Sequence, residues 1–242
     1  MLRHLLAPFR TVFGLLFAVL ATWVAAWSVT FLAWRDTDSA RIERVIDWWG
    51  KTVLAAIGVS LTVNGSENVE PGQSYVVVSN HQSSIDIPAH FLALPMPIRF
   101  LAKKELFGIP IFGRALRAIG IVEVDRKAGA AVHEQINAHS AEVIRRGHSI
   151  LVYAEGTRFR DGSLHAFKQG AFSIAIESGL PVLPVMIHGG HLAWPRRRPI
   201  YGGPVTVTIS KPIETDSLAR KDVRLLRDQT RREIEEMLTA MA

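Results

Sequence analysis

The chain has 242 residues, 48% of them hydrophobic and 21% charged, and 28 basic side chains against 22 acidic ones give a formal charge of +6. With a mean hydropathy of +0.18, this composition excludes a disordered chain, which combines low hydrophobicity with high net charge. The absence of cysteine excludes disulfide scaffolds, thiolate metal sites and cysteine nucleophiles. Any catalysis must use oxygen and nitrogen groups, and the basic balance indicates an anionic partner: nucleic acid, a phosphate-bearing substrate or a membrane surface.

The first predicted element is a helix in an uncharged, apolar run of 24 residues between Arg10 and Arg35. At 1.5 Å per residue this helix is about 36 Å long, enough to cross a hydrocarbon core of about 30 Å. A secretory signal peptide is one alternative, but bulky Trp27, Phe31 and Trp34 stand where a small-residue cleavage site belongs. A buried core helix is another, which the length without charge disfavours.

A second, amphipathic helix is predicted over residues 40–58, where Ile42, Ile46 and Trp49 recur at helical spacing. The adjacent Trp48 and Trp49 suit a membrane–water interface. Spacing alone leaves open whether the apolar face contacts lipid or the rest of the protein. Basic residues flank the first helix and are more numerous after it, which places the following domain in the cytoplasm.

From about Leu61 onward, short β-rich runs alternate with helical ones. The predicted strands are residues 75–79, 121–124, 149–154, 182–187 and 205–210, and the predicted helices are residues 84–94, 107–118, 129–146, 166–178 and 217–241. This alternation predicts an α/β domain with a mixed, largely buried sheet flanked by helices. Functional groups in such domains lie on loops just past the strand ends.

The segment SNHQSSIDIP, residues 79–88, follows a predicted strand and carries His81 and Asp86. On a continuous helix these residues would lie about 140° apart, so they meet only if the chain bends between them. With Ser83 or Ser84 as the helix N-cap, His81 lies in the preceding loop and folds back toward Asp86. A carboxylate bound to one imidazole nitrogen leaves the other free as a general base. A helix cap or a surface hydrogen bond is the alternative for the same pair.

The segment AEGTRFRDG, residues 154–162, directly follows another predicted strand. Gly156 permits a tight turn, the amides of Gly156 and Thr157 can face an anion, and Arg158 has a planar fork that suits phosphate. The alternative is an ion pair between Glu155 and Arg158 that only stabilises the turn. Further cations follow other strand-like runs and can converge on the same anion, namely Lys103, Lys104, Arg126 and Lys168.

Four blocks in order, NHQSSID, AKKELFGIPIFGRALRAIGIVEVDR, AEGTRFRDG with FKQGA, and LPVLPVMIHG, resemble the glycerolipid acyltransferases of the 1-acylglycerol-3-phosphate acyltransferase type. The resemblance covers about residues 75–190, and the four ordered blocks make it more specific than the short H-x-x-x-x-D motif alone. It implies transfer of a fatty acyl group from acyl-CoA or acyl carrier protein to the sn-2 hydroxyl of lysophosphatidate, giving phosphatidic acid. No metal or cofactor beyond the thioester co-substrate is expected.

The resemblance also assigns roles to residues. It implies that His81 is the base and Asp86 its orienting partner. Arg158 and a lysine of AKKEL are directed at the acceptor phosphate, and Lys103 is chosen over the adjacent Lys104. The implied substrate-binding residues are Lys103, Arg126, Glu155, Gly156, Thr157 and Arg158.

The family resemblance further implies an amino-terminal two-helix element embedded in one leaflet. We therefore expect residues 1–58 to form membrane-associated helices and residues 59–242 a catalytic domain that faces the cytoplasm from the inner or another membrane. The expected partners are a lysophospholipid, an acyl thioester, the membrane and acyl carrier protein. Nucleic acid is not expected, because no recognition motif accompanies the charge.

Two other hypotheses remain open at this point. One keeps the chemistry and changes the acceptor to glycerol-3-phosphate, another lysophospholipid or a lyso-aminolipid. The other is a non-catalytic protein that uses its basic surface, including the region around Trp194, to bind anionic lipid.

Overall fold

The computed structural model of the chain describes residues 2–125, 139–195 and 197–241. Its helices are α1 (Leu2–Ala33), α2 (Ala40–Ala56), α3 (Asp86–Ala93), α4 (Lys104–Phe107), α5 (Phe112–Ala118), α6 (described over 139–145), α7 (Gly170–Ser178), α8 (Gly190–Ala193) and α9 (Val223–Thr239). Its strands are β1 (Val59–Asn64), β2 (Val76–Ser79), β3 (Ile98–Lys103), β4 (Val122–Val124), β5 (Ser149–Tyr153), β6 (Val182–His188) and β7 (Gly203–Ile209). Short 3-10 turns lie at Ser66–Asn68 and Arg220–Asp222.

The seven strands of the described residues form one sheet in the order β1-β7-β6-β2-β5-β3-β4. Strands β6, β2, β5, β3 and β4 are parallel to one another, whereas β7 is antiparallel to β6 and parallel to β1. Every residue of the central strand β2 is buried, as expected for a strand that helices cover on both faces. The predicted mixed α/β fold with a largely buried sheet is confirmed.

The core of the sheet follows the two-residue period of a strand. Val77 of β2 packs on one face with Leu151 of β5 and Ile85 before α3, whereas Val76 and Val78 pack on the other face with residues of α7 and α9. The final helix, expected to lie on the surface, is exposed on one side and buries four residues at helical spacing on the other, namely Val223, Leu226, Thr230 and Ile234.

The strand predictions missed β1 and β3. β1 lies at the edge of the sheet and alternates half-buried with exposed residues, so it lacks the continuous apolar run of a central strand. β3 contains Arg99, a cation that interrupts its apolar pattern. All five predicted strands are present, with ends that shift by no more than a few residues.

Of the helix predicted over residues 107–118, residues 112–118 form α5, residue 107 ends α4, and the residues between them are not helical. Pro110 separates the two, since proline has no backbone N–H and restricts the residue before it. Gly113 lets α5 fold back onto α4, because a Cβ atom there would overlap the carbonyl oxygen of Phe107. Of the helix predicted over 129–146, residues 129–138 lie outside the described residues.

Helices α1 and α2 form an antiparallel hairpin that rests on the α/β domain. The Trp49 indole N–H donates to the Thr22 hydroxyl at 2.9 Å, which ties the two helices together. Near its start α1 is tied to the domain by the Ile200 amide, which donates to the Thr11 hydroxyl at 2.8 Å. Near its end, Val29 packs in one cluster with Leu116 of α5. The hairpin therefore lies along the domain rather than projecting from it.

The buried face of α2 contacts protein. Ile42 and Ile46 belong to the same hydrophobic cluster as Phe107, whereas Trp48 is exposed. In contrast, α1 exposes a series of large apolar side chains, which includes Phe9, Phe13, Leu16, Phe17, Leu20, Trp23, Trp27 and Phe31, and Trp34 directly after the helix is exposed as well. Among the described residues, one helix, over Ala7–Ala33, is long and apolar enough to cross a membrane by length and composition.

Arg99 of β3 joins the helical hairpin to the sheet. Only 1% of its side chain is exposed. Its guanidinium pairs with Glu43 of α2, donates to the carbonyls of Ile119 and Ile98, and contacts the His148 imidazole at 3.2 Å. Burial and the adjacent Arg99 lower the pKa of His148 to about 4, so His148 is neutral at pH 7. Glu43 is therefore the carboxylate that balances the buried guanidinium.

Replacing Glu43 by Gln should lower the free energy of unfolding, because Arg99 would keep its charge without a carboxylate. Since 36% of the Glu43 side chain is exposed, we expect a loss of about 1–3 kcal/mol, less than for a fully buried pair. Urea unfolding followed by circular dichroism measures the change.

The matched control is Glu235→Gln, which breaks an exposed ion pair with Arg231 on α9. This control should cost no more than about 0.5 kcal/mol. Equal losses in the two variants would contradict a stabilising role of the Arg99 and Glu43 pair.

Candidate functional site

The candidate site lies where the parallel strands β2 and β5 end side by side. The two loops that follow these strands are bonded to each other. The Ala154 amide donates to the Ser79 carbonyl at 3.2 Å, and the Phe159 amide donates to the His81 carbonyl at 2.9 Å. Because parallel strands end at the same edge of a sheet, segments 79–88 and 154–162 form one surface.

His81 and Asp86 meet in this surface. The His81 Nδ1 atom lies 2.7 Å from the Asp86 Oδ2 atom, and both side chains are buried. The same oxygen accepts the amides of Gln82 at 2.7 Å and Ser83 at 2.8 Å. A carboxylate can only accept, so His81 donates its Nδ1 proton, and the lone pair lies on Nε2.

The bend between the two residues differs from the predicted one. Neither Ser83 nor Ser84 caps α3, which begins at Asp86 with Ile85 as the residue before it and no side-chain cap. The Asp86 carboxylate instead turns back and binds the loop amides of residues 82 and 83. The bend therefore depends on the catalytic candidate itself.

Tyr153 and His90 contact the pair directly, and the sequence analysis missed both. The Tyr153 ring stacks on the His81 ring with centroids 3.8 Å apart and 14° between the planes. His90 is fully buried and donates from Nδ1 to the Asp86 carbonyl at 2.7 Å, while its Nε2 contacts the Ser79 hydroxyl at 3.0 Å. Burial lowers the pKa of His90 to about 4, so this ring stays neutral and positions α3.

Asn80 is a further residue that the sequence analysis did not single out. Its side-chain amide donates to the Ile187 carbonyl at 2.9 Å and accepts the Ile187 amide at 2.8 Å. It therefore continues the pairing of β2 with β6 beyond the end of β2. Its position directly before His81 was the one feature of the sequence that pointed to Asn80, and this position alone does not identify Ile187 as its partner.

The Glu155 carboxylate binds backbone amides of the two loops. Its side chain is buried, with one oxygen accepting the His81 amide at 2.8 Å and the other accepting the His165 amide at 2.9 Å. Burial raises the pKa of Glu155, and the two amide hydrogen bonds oppose that rise. The alternative ion pair between Glu155 and Arg158 does not form in the described residues. Glu155 thus fixes the backbone on which His81 stands.

Gly156 adopts the left-handed conformation, with φ of +73°, that allows the predicted tight turn. Its amide donates to the Tyr153 carbonyl at 2.9 Å, so the expectation that this amide faces an anion is wrong. The Thr157 amide makes no hydrogen bond with the described residues. The Lys168 side chain passes over Gly156, since a Cβ atom there would lie 2.7 Å from the lysine ammonium nitrogen.

The predicted cations differ in their contacts and in whether the structure describes them. The Arg158 Nε atom donates to His81 Nε2 at 3.0 Å, so Arg158 lies directly at the base. Lys103 ends β3, the neighbour of β5, and its ammonium has no hydrogen bond or ion pair with the described residues, whereas Lys104 pairs with Asp125 at 3.1 Å. Arg126 lies outside the described residues.

The environment of His81 suits a general base. Burial lowers the pKa of His81 below its ordinary value of 6.5, the adjacent Asp86 opposes this shift, and the charges of Arg158 and Arg160 add to it. The imidazole is therefore neutral at pH 7, with one nitrogen bound to a carboxylate and the other directed at the site. In the described part of the chain, no group of three or more histidine and carboxylate side chains can hold a metal ion.

Comparisons with known proteins agree on one family. A family model described as Acyltransferase matches residues 60–188. The chain is 32% identical to a 1-acyl-sn-glycerol-3-phosphate acyltransferase of Cocos nucifera over 69% of this chain and 54% of that protein. It is 30% identical to the alpha form of Mus musculus over 81% of this chain and 69% of that protein. The chain thus spans about half to two thirds of the length of these curated relatives.

A solved structure is similar over nearly the whole chain. It is the crystal structure of a 1-acyl-sn-glycerophosphate acyltransferase from Thermotoga maritima, with a TM-score of 0.81 and 28% sequence identity. The similarity covers 97% of each chain, so it extends to the amino-terminal helices as well as the sheet.

Titration of the His81 imidazole by NMR should give a midpoint below 6.5, because burial disfavours the charged ring. Asp86→Asn removes the carboxylate that raises this pKa, so the midpoint should fall further. Asp228→Asn, an exposed carboxylate on α9, is the control and should leave the midpoint unchanged. A midpoint above 6.5, or a rise in Asp86→Asn, would contradict this account of the base.

Proposed function

The chain belongs to the acyltransferase family, and from this membership we propose that it is a 1-acyl-sn-glycerol-3-phosphate acyltransferase. It would transfer a fatty acyl group from acyl-CoA or acyl carrier protein to the sn-2 hydroxyl of lysophosphatidate. The observation that carries the proposal is the buried His81 and Asp86 pair, with the second imidazole nitrogen directed at a surface that also carries Arg158. No cofactor other than the thioester co-substrate is proposed.

The proposed reaction needs a base because an alcohol is a poor nucleophile at neutral pH. His81 Nε2 takes the hydroxyl proton as the alcohol oxygen attacks the thioester carbonyl. The bond between carbonyl carbon and sulfur then breaks, and the imidazolium returns the proton to the thiolate. Asp86 stabilises the imidazolium through the 2.7 Å hydrogen bond to Nδ1. General base catalysis of this kind contributes a factor of about 10² to 10⁴ in rate.

The acceptor phosphate would bind among the cations of the two loops after β5 and β3. Arg158 offers a planar fork for phosphate, and the ammonium of Lys168 lies above the neighbouring Gly156. Lys103 is the better partner of the two adjacent lysines, since Lys104 is paired with Asp125. Holding the phosphate there positions the hydroxyl at His81, and such positioning can exceed the acid–base contribution. The oxyanion would be bound by the Thr157 amide.

Membrane attachment through α1 is the second part of the proposal. The exposed apolar side chains of α1 offer a surface that a lipid leaflet can cover. Contacts of Thr11 and Val29 with the α/β domain hold the helix along the domain near both ends, which favours embedding in one leaflet over crossing the bilayer. Residues 1–58 would thus anchor the catalytic domain, residues 59–242, on the cytoplasmic face of the membrane.

The same chemistry on another acceptor remains the second candidate. Glycerol-3-phosphate and other phosphate-bearing lysophospholipids would use the same cations, whereas a lyso-aminolipid would leave Arg158 and Lys168 without a phosphate to bind. A non-catalytic lipid-binding protein is disfavoured, because it has no use for a buried carboxylate and imidazole pair aimed at a surface.

His81→Ala should lower the rate of acyl transfer by about 10² to 10⁴, because the hydroxyl then lacks its base. The measurement uses purified full-length protein, radiolabelled acyl-CoA and a panel of acceptors that includes lysophosphatidate. The control is His139→Ala, an exposed histidine on α6, which should keep full activity.

Two outcomes would count against the proposed function. Substantial acyl transfer by His81→Ala would show that His81 is not the base. If the wild type acylated an acceptor without phosphate as fast as lysophosphatidate, the proposed preference for a phosphate-bearing acceptor would be wrong.

Leu16→Glu combined with Leu20→Glu should release the protein from phospholipid vesicles. These residues lie one helical turn apart on α1 and are 62% and 57% exposed, so the charges would enter the leaflet without disturbing the core. Flotation with anionic vesicles measures binding. The control is Leu225→Glu on α9, where a leucine is 58% exposed and away from α1. Unchanged flotation of the double variant would contradict attachment through this face.

A further inference from the structure

Arg158 occupies the position that a substrate hydroxyl needs. Its Nε atom donates to His81 Nε2 at 3.0 Å. A hydroxyl that gives its proton to this nitrogen must lie about 2.6–3.2 Å from it. Because Nε2 has one lone pair, the guanidinium and a hydroxyl exclude each other. With Arg158 in this position His81 cannot act as a base, so Arg158 must leave before any reaction begins.

The local structure lets the Arg158 side chain leave while its backbone stays. The amide of the next residue, Phe159, is bonded to the His81 carbonyl at 2.9 Å, which fixes the backbone beside the base. The Arg158 side chain itself is exposed, and no carboxylate of the described residues pairs with it. A rotation of the side chain is therefore enough to uncover Nε2.

An anion is the ligand that would draw Arg158 away. In the observed contact the guanidinium gives one hydrogen bond to a neutral imidazole. A phosphate offers the same fork two parallel hydrogen bonds in which donor and acceptor are both charged, whereas in the single bond to the imidazole only the donor is charged. The Lys168 ammonium lies above Gly156, in the same turn, and adds a second positive charge. Water and uncharged alcohols cannot accept two hydrogen bonds of this kind from Arg158, so they would not displace it from His81.

We propose that Arg158 is a specificity-determining residue that blocks His81 until the phosphate of the acceptor draws it away. This inference rests on the proposed acyl transfer and adds a rule to it: the base becomes available only when a phosphate-bearing acceptor is bound. The residue thus selects the acceptor twice, by binding its phosphate and by releasing the base.

The reaction that this arrangement suppresses is hydrolysis of the acyl donor. With His81 uncovered, water attacks the thioester carbonyl, His81 takes a proton from the water, and the bond between carbonyl carbon and sulfur breaks. The imidazolium returns its proton to the thiolate, and the products are a fatty acid and a free thiol. A blocked Nε2 prevents this loss of donor while no acceptor is present.

Blocking of the base and simple binding of phosphate predict different changes in two rates of Arg158→Leu, the rate of acyl transfer and the rate of donor hydrolysis. If Arg158 only binds phosphate, Arg158→Leu lowers acyl transfer and leaves hydrolysis of the donor unchanged. If Arg158 also blocks the base, the same variant lowers transfer and raises hydrolysis. We expect the rise to be about tenfold or more, the factor that corresponds to a hydrogen bond from a charged donor.

The first experiment measures release of free CoA from acyl-CoA without any acceptor, by reaction with a thiol reagent. The chain contains no cysteine, so the thiol signal comes from CoA alone. The wild type, Arg158→Leu and the double variant Arg158→Leu with His81→Ala are compared. The matched control is Arg224→Leu, which removes an exposed arginine of α9. Hydrolysis should rise only in Arg158→Leu, and adding His81→Ala should abolish the rise.

The second experiment uses the wild-type protein, so it does not depend on the folding of a variant. Its probe is 1-acyl-2-deoxyglycerol-3-phosphate, which has the acceptor phosphate and lacks the reacting hydroxyl. This compound should increase hydrolysis of acyl-CoA about tenfold, since it draws Arg158 away and leaves room for water. The same lipid without its phosphate should have no effect.

The results distinguish this inference from the proposed function. Unchanged or lower hydrolysis in Arg158→Leu, or no effect of the deoxy compound on the wild type, would overturn the blocking role even if lysophosphatidate is acylated normally. If the wild type acylates no lysophospholipid at all, the proposed function itself fails. Increased hydrolysis that persists without His81 would also overturn the inference, because the released activity would then not depend on this base.

Discussion

The arrangement of the site depends on one oxygen atom. Asp86 Oδ2 accepts the His81 imidazole and the amides of residues 82 and 83, all within 2.8 Å. A buried carboxylate is costly unless several donors surround it, and the loop after β2 supplies them only by bending back over the start of α3. The same bend sets the tautomer of His81 and directs its second nitrogen at the site, where Arg158 contacts it. The geometry of the loop and the tautomer of the imidazole are therefore consequences of the three hydrogen bonds to this one oxygen.

The neighbouring loop is shaped by a second buried carboxylate, which acts on backbone alone. Glu155 accepts the amides of His81 and His165, so the loops after β2 and β5 are bonded to each other. Hydrogen bonds thus hold the backbone around the base, while the Arg158 side chain is exposed. This division is what the proposed displacement of Arg158 requires, because access to His81 can then change without a change in the fold.

The helical hairpin connects this rigid site to the surface that we propose faces lipid. α1 and α2 pack on α3 and α5, and Arg99 binds α2 to the sheet through Glu43. α3 begins with Asp86, so the helix on which the proposed anchor packs also carries the partner of His81. The exposed face of α1 is the part of the hairpin that the protein itself does not cover.

The sequence by itself determined the fold class and, through the family resemblance, the expectation that His81 pairs with Asp86, because apolar periodicity and motif order are local properties of the chain. It did not reveal β1 or β3, since edge exposure and the buried Arg99 obscure their patterns. Only the tertiary structure decided the partners of Glu155, the hydrogen bond that the Gly156 amide makes, the stacking of Tyr153 on His81 and the position of Arg158. The contacts of His81 with Glu155 and Arg158 join segments about 75 residues apart in the chain, and local spacing does not encode such contacts. The Gly156 amide bonds within its own turn, where the sequence did not distinguish that partner from an anion.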